Sequence, residues 1–204
     1  MVEERTPALT DKGRRTRARI VEVAARLMYE NGVAATSVDQ ICVAADVGKS
    51  QIYHYFTDKS ELVQGVIEIQ ARSTLAVQVP LLSEVRDWDG WRAWRNEIVV
   101  LQQRTDYWGA CPLGSLASEL AGRDGPARLA LTSSFDQWES HLQAALSRTV
   151  ESGALRGDVD VPGLATYVLA ALQGGLLLCQ ARRDVVPLEV SLDGAIARLE
   201  SYAP

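Results

Sequence analysis

Two histidines and three cysteines are all the imidazole and thiol metal ligands in this chain of 204 residues. Cys42, Cys111 and Cys179 lie far apart, are odd in number and form no C-x-x-C pair. A structural zinc site and a disulfide framework are both excluded, and a reducing, cytoplasmic setting is expected. No G-x-S-x-G or H-E-x-x-H motif occurs, so no catalysis and no cofactor are read. Gly48-Lys49-Ser50 resembles the end of a phosphate-binding loop, but that loop needs glycine where Val43 stands, and the nucleotide reading fails. No basic stretch followed by an apolar one opens the chain, so no secretory signal is expected. Strand-like alternation, internal repeats and a Gly/Ser-rich linker are missing too, which leaves an all-α fold.

What remains is rich in apolar and charged residues, at 47% and 23% of the chain. That is enough to build a proper core. The net charge of −5 hides an uneven distribution. Residues 1–60 carry nine Lys/Arg against eight Asp/Glu, and the rest carry 12 against 18. Lys12, Arg14, Arg15, Arg17 and Arg19 put five positive charges in eight residues with no acid among them. Placed at the start of a helix, such charges oppose its macrodipole, so they call for a frayed start or an anionic partner.

The chain is organised around Thr36 to Leu62. Thr36 with Asp39 gives a helix-start signal, and Val38, Ile41, Cys42 and Ala45 make one apolar stripe. Asp46-Val47-Gly48 breaks that helix. A second begins at Lys49 with Gly48 as its cap, and Ile52 and Phe56 share its inner face. Asp58 and Glu61 then open a third helix. Two helices joined by a turn of about three residues form a helix-turn-helix, whose second helix reads the DNA major groove from its N-terminal end. Upstream, residues 1–11 read as a disordered arm. A first helix from about Arg14 to Asn31 carries Ile20, Val23, Ala24, Leu27 and Met28 on one face and stops at Gly32.

The run GKSQIYHYFTDKSELV, with Tyr53, Phe56, Lys59 and Leu62 at spacings of three, resembles the recognition helix and following cap of TetR-family transcriptional regulators. CPLGSLASEL and LQGGLLLCQARRDVVPLEVSLDGAIARL are similar to the effector domain of the LmrA/YxaF-type subgroup. The resemblance implies a three-helix DNA-binding domain over residues 1–58. It implies a ligand-binding and dimerisation domain over 59–204, with about nine helices in all. Thr36 and Ser37 would then meet phosphate, and Lys49, Ser50 and Gln51 would reach base edges. Tyr53 and His54 would touch phosphate or thymine methyls, Lys59 a phosphate, and Arg14, Arg15 and Arg17 the flanking backbone.

For the second domain the helical period gives a helix from Lys59 to about Val79 ended by Pro80, and another from Asp87 to Tyr107. A short helix follows the break at Cys111 to Gly114, then a long one from Pro126 and two more. Trp91, Trp94, Ile98, Tyr107 and Trp108, with Phe135 and Trp138, are candidate walls of an apolar effector pocket, although aromatics at this spacing are more often plain core. Ser118, Glu119, Gln137 and His141 are candidate polar groups for orienting a ligand. Cys111 precedes a short helix whose dipole lowers a thiol pKa, which offers an alternative thiol- or electrophile-sensing role. A helical small-molecule binder without DNA affinity is a further alternative.

Val161 to Ala181 is 21 residues without a charge, long enough to cross a bilayer. Pro162, Thr166, Gln173 and Gln180 favour instead a helix covered by its own domain on one side and by a second subunit on the other. The resemblance implies the same: the last two helices pair with their symmetry mates. Tyr167, Ala171, Gly174, Leu176, Leu177, Leu192, Ile196 and Leu199 are the expected interface. The overall expectation is a cytoplasmic homodimeric repressor of a palindromic operator, without membrane attachment. A small apolar or aromatic effector would release it by shifting the helix that starts at Lys59.

Overall fold

The computed structural model describes residues 9–104, 111–122 and 124–204. Among the described residues the chain forms nine helices and no strand. They are α1 (Asp11–Asn31), α2 (Val38–Ala45), α3 (Lys49–Tyr55), α4 (Lys59–Glu84), α5 (Trp88–Arg104), α6 (Pro112–Leu120), α7 (Gly125–Glu151), α8 (Val161–Arg182) and α9 (Val186–Glu200).

The first three helices form around side chains anticipated from their spacing. Ile20, Ala24 and Met28 of α1, Ile41 and Ala45 of α2, and Ile52 and Phe56 at α3 are all buried. α1 starts at Asp11 rather than Arg14, because the Gly13 N–H donates to Thr10 Oγ1 (3.2 Å) and caps it. The expected arm is shortened accordingly, and residues 1–8 lie outside the described part. The cap of α2 is Ser37, one residue later than expected. Its hydroxyl accepts from the Gln40 N–H (3.2 Å), while Gln40 Oε1 accepts from the Ser37 N–H (2.7 Å), a reciprocal capping box. Gly48 and Asp58 head α3 and α4 as anticipated, with Glu61 Oε2 accepting from the Thr57 N–H (2.6 Å).

α4 does not end at Pro80. It continues to Glu84, and the proline is accommodated near its last turn. Arg148 of α7 holds the end it reaches. Its guanidinium donates to the Leu82 carbonyl (2.6 Å) and the Val85 carbonyl (3.1 Å), filling acceptors that a helix end leaves open. α6 likewise starts at Pro112, inside the expected break, since proline at the first helical position lacks only an N–H that has no partner there.

α4 packs on α1, α6 and α7, so it belongs to the scaffold of both halves. α7 and α8 lie together, and α8 and α9 form the tightest pair. Gly175 makes that possible, because a Cβ there would stand 2.9 Å from Leu188 Cα. α5 is tied to α9 by Arg95, which donates from Nε and Nη2 to the Asp193 carboxylate (2.8 Å each), and by Arg92 to Glu200 (2.5 Å). α8 is the one described helix long and apolar enough to cross a membrane. Leu164, Val168, Leu172 and Cys179 on one side of it are buried in the protomer.

Candidate nucleic-acid interface and effector site

α3 turns Ile52 and Phe56 inward, so its remaining faces are open. Lys49, Ser50, Gln51, Tyr53 and His54 are exposed, Tyr53 at 53%. Two of these already have partners. Lys49 Nζ pairs with Asp39 of α2 (2.7 Å), and this hydrogen bond and charge raise the lysine pKa. Gln51 Oε1 accepts from the Gly48 N–H (3.4 Å), reinforcing the start of α3. His54 meets Tyr55 edge to face at 4.9 Å. Phe56 is core, as the spacing suggested, and Tyr55 beside it is half-buried.

The basic cluster on α1 divides between faces. Lys12, Arg15 and Arg19 stand on one exposed face with Thr16 between them. Arg14 pairs with Asp11, and Arg17 lies over the Phe56 ring at 5.0 Å. Thr10 as cap and Asp11 in the first turn offset part of the unfavourable charge at this helix start.

Thr36 is a correction. It is 1% exposed, and its hydroxyl donates inward to the Gly32 carbonyl (2.8 Å) and the Leu27 carbonyl (3.2 Å). That hydroxyl faces the core and is turned away from any phosphate; Ser37 is the exposed neighbour. Lys59 is half-buried, and its ammonium donates to the Val33 carbonyl (2.6 Å), tying the start of α4 to the α1–α2 loop.

In the second half three tryptophans, Trp91, Trp94 and Trp138, are interior. Trp91 and Trp94 meet edge to face at 5.7 Å and are 0% and 2% exposed. Their indole N–H groups donate to Thr149 Oγ1 (3.0 Å) and Gln78 Oε1 (2.9 Å), partners no spacing argument could supply. Ile98 is buried beside them, Phe135 and His141 are half-buried, and Tyr107 and Trp108 lie outside the described residues. Trp138 is 1% exposed, and its Nε1 has no acceptor among the described residues; nor has the buried Nε2 of Gln173. Cys111 is buried at the cap position of α6, and burial also raises the Cys179 thiol pKa. A buried thiol has little access to an electrophile, so the sensing role gains no support. Among the described residues no cluster of metal-ligating side chains occurs.

Two cavities are relevant to an effector. One, of about 440 Å³, lies between α4 and α7 and is lined by Ala71, Arg72, Ser134 and Gln137. The other, of about 230 Å³, lies where α1, α4 and α6 meet and includes Tyr29, Gln70, Ser118 and Glu119. Trp91, Trp94 and Trp138 line neither. Burial, with the neighbouring Cys111 as a smaller cause, raises the Tyr29 phenol above its ordinary pKa.

The expected interface set also separates. Tyr167 and Leu177 are 46% and 59% exposed, Gly174 is exposed, and Ala171 and Leu176 are half-buried at the edge of the same helix. Leu192, Ile196 and Leu199 are 0%, 6% and 0% exposed, so they are the protomer's own core and are withdrawn from the interface. The helical period identified the apolar face of α9 correctly, but that face is covered within the same chain by α8 and α5.

Comparison with known proteins agrees with this geometry. Residues 20–66 match the family model for bacterial regulatory proteins of the tetR family, and residues 91–194 match that for tetracyclin repressor-like C-terminal domains. The chain is 27% identical over 173 residues to the HTH-type transcriptional repressor DhaR of Mycobacterium sp. strain GP1, covering 85% of this chain and 86% of that protein. It is 25% identical over 175 residues to the uncharacterized HTH-type transcriptional regulator YxaF of Bacillus subtilis, covering 85% and 89%. The regulatory protein TetR from Rhodobacter sphaeroides shares the fold with a TM-score of 0.78 at 20% identity, over 89% of this chain and 97% of that one.

Proposed function

The chain belongs to the TetR family of bacterial transcriptional regulators, and from that premise we propose that it is a homodimeric, cytoplasmic repressor of a palindromic operator. The observation that carries the reading is α3. One face is locked into the core by Ile52 and Phe56, and the rest presents Ser50, Gln51, Tyr53 and His54 to solvent. A rigid helix with an outward polar N-terminal half is what the major groove accepts. Ser50 and Gln51 read base edges, joined by Lys49 once it leaves Asp39. Tyr53, His54, Ser37 and Lys59 hold the backbone, and Arg14, Arg15 and Arg17 of α1 grip the flanking phosphates. The domain boundary falls at 58/59, where Asp58 caps α4.

Dimerisation uses the outer face of α8. Tyr167, Gly174 and Leu177 lie there without a charge between them, flanked by Ala171 and Leu176 and by the exposed Leu178. Two recognition helices then meet half-sites about one helical turn or a little more apart. The effector is small and apolar or aromatic, and carries a hydrogen-bond acceptor. Trp138 Nε1 and Gln173 Nε2, buried donors without partners among the described residues, support that last feature only if the effector opens a space beside them that neither of the two cavities provides. Its binding shifts α4 and with it the half-site separation; only unequal affinity for the two states drives release.

The test is selection of duplexes from a random library at two salt concentrations. Enrichment of a palindrome that is lost at high salt is expected, since phosphate contacts release counterions. A soluble, effector-free dimer that enriches no sequence refutes the reading.

A further inference from the structure

The α1–α2 loop is held from outside the helix-turn-helix. Glu119 of α6 accepts the Val33 N–H on Oε2 (2.8 Å) and the Ala34 N–H on Oε1 (2.7 Å), across more than 80 residues of sequence. Two successive backbone N–H groups outside any helix form a concavity suited to an anion, and here a side-chain carboxylate fills it. Gly32 sets the turn that presents these amides: its φ is 86°, a conformation that favours glycine, and the Glu119 carboxylate packs against it. From the other side Lys59 holds the Val33 carbonyl. The position of α2, which begins four residues after Ala34, therefore depends directly on α6.

Beside this carboxylate lies the cavity of about 230 Å³ between α1, α4 and α6. Met28, Val66 and Leu116 give it apolar walls, and Tyr29, Gln70 and Ser115 add neutral polar groups. Glu119 is the one charged side chain among its described lining residues. The space falls below the ~300–1,000 Å³ of sites for drug-sized ligands, so a single ring or a short chain fits. An anion is repelled by the carboxylate, and a neutral molecule cannot rival two backbone donors for it. A cation can, because a charge-assisted hydrogen bond is the stronger one.

We propose that this interdomain cavity binds a small organic ammonium ion against Glu119, and that the ion weakens the hold of Glu119 on the Val33 and Ala34 amides. The site is separate from the aromatic core of α5 and α7, and its route to the recognition helix runs through α6 and the α1–α2 loop. The consequence for DNA rests on the function proposed above; the binding itself does not.

The experiment follows the Val33 and Ala34 amide resonances of the full-length protein during titration with 2-phenylethylammonium chloride at constant ionic strength. 2-Phenylethanol serves as the neutral control. A saturable shift of both amides with the ammonium ion alone is expected, with faster hydrogen exchange at both positions. Glu119→Gln abolishes the response. Ser115→Leu narrows the cavity and leaves the carboxylate in place; it too abolishes the response, while its ligand-free amides resonate as in the parent. An equal shift from the alcohol, or no shift at all, overturns the proposal. So does a Ser115→Leu protein that responds like the parent. On an operator duplex the ammonium ion is expected to lower affinity within the roughly 5- to 150-fold range of allosteric coupling. Amides that respond in a protein with no duplex affinity refute the DNA-binding reading and leave the site standing.

Discussion

Thr36→Val separates a structural hydroxyl from a phosphate-binding one. The exchange keeps the shape of the side chain and removes a group that is 1% exposed and bonded to two carbonyls. The Leu27 carbonyl also accepts from Asn31 Nδ2 (3.0 Å), so the loss falls mainly on the Gly32 carbonyl. Leaving a buried acceptor unsatisfied costs about 1–3 kcal/mol. A mid-range loss of about 2 kcal/mol lowers the melting temperature by about 4–8 °C in a chain of this size. Ser37→Ala removes the cap of α2 and should cost about 1 kcal/mol. Differential scanning calorimetry measures both, and fluorescence anisotropy on the selected operator measures affinity at 25 °C. For Thr36→Val we expect the lower melting temperature with operator affinity within about twofold of the parent. A hydrogen bond from this hydroxyl to a phosphate would be worth roughly 1.5–3 kcal/mol, or more than tenfold in affinity. A variant that melts with the parent and binds the operator more than tenfold more weakly therefore refutes the inward placement of Thr36.

Tyr53→Ala removes an exposed side chain of α3, and we expect at least about tenfold weaker operator binding with an unchanged melting temperature; parental affinity in anisotropy would remove Tyr53 from the interface. Leu177→Glu places a charge in the proposed α8 contact and should weaken self-association by about 3 kcal/mol or more, over 100-fold, in sedimentation velocity. Leu192→Ala, at a fully buried position of α9, should instead lower stability by about 2–5 kcal/mol while the folded protein still dimerises; the opposite pattern would exchange the roles of the two helices. Trp91→Phe removes a buried hydrogen bond to the Thr149 hydroxyl, which keeps only its own donation to the Ala145 carbonyl, and is expected to destabilise more than Trp138→Phe, whose indole N–H has no acceptor among the described residues; equal melting temperatures would contradict that difference.

The first half of the fold was legible because its signals are local. Ile41, Ala45, Ile52 and Phe56 occupy inner faces set by the helical period, and Gly48 and Asp58 cap where small and acidic residues usually cap. The same locality set the errors. Thr36-Ser37 offers two hydroxyls and Asp39-Gln40 two partners, so the cap of α2 could fall in either register, and burial of Thr36 decided it. Pro80 is a local stop signal that α4 nevertheless passes, and the end it reaches is held by Arg148, 68 residues later in the chain. Leu192, Ile196 and Leu199 show that periodicity gives the apolar face of a helix but not the neighbour that covers it. Glu119 was visible only as a possible polar group in a pocket. No spacing rule links a glutamate on α6 to two amides at the far end of α1.

The anchoring of α4 by Arg148 has a mechanical consequence. One end of this 26-residue helix is pinned to α7 through the carbonyls of Leu82 and of its cap residue Val85, while its other end carries Lys59 beside the helix-turn-helix. At 1.5 Å per residue the helix is a rod of about 39 Å, so a tilt of only about 5° around the pinned end sweeps Lys59 through about 3 Å. The rod multiplies displacement: a side-chain-sized adjustment near α7 reaches the end beside the helix-turn-helix as a movement comparable to the spacing of successive base pairs.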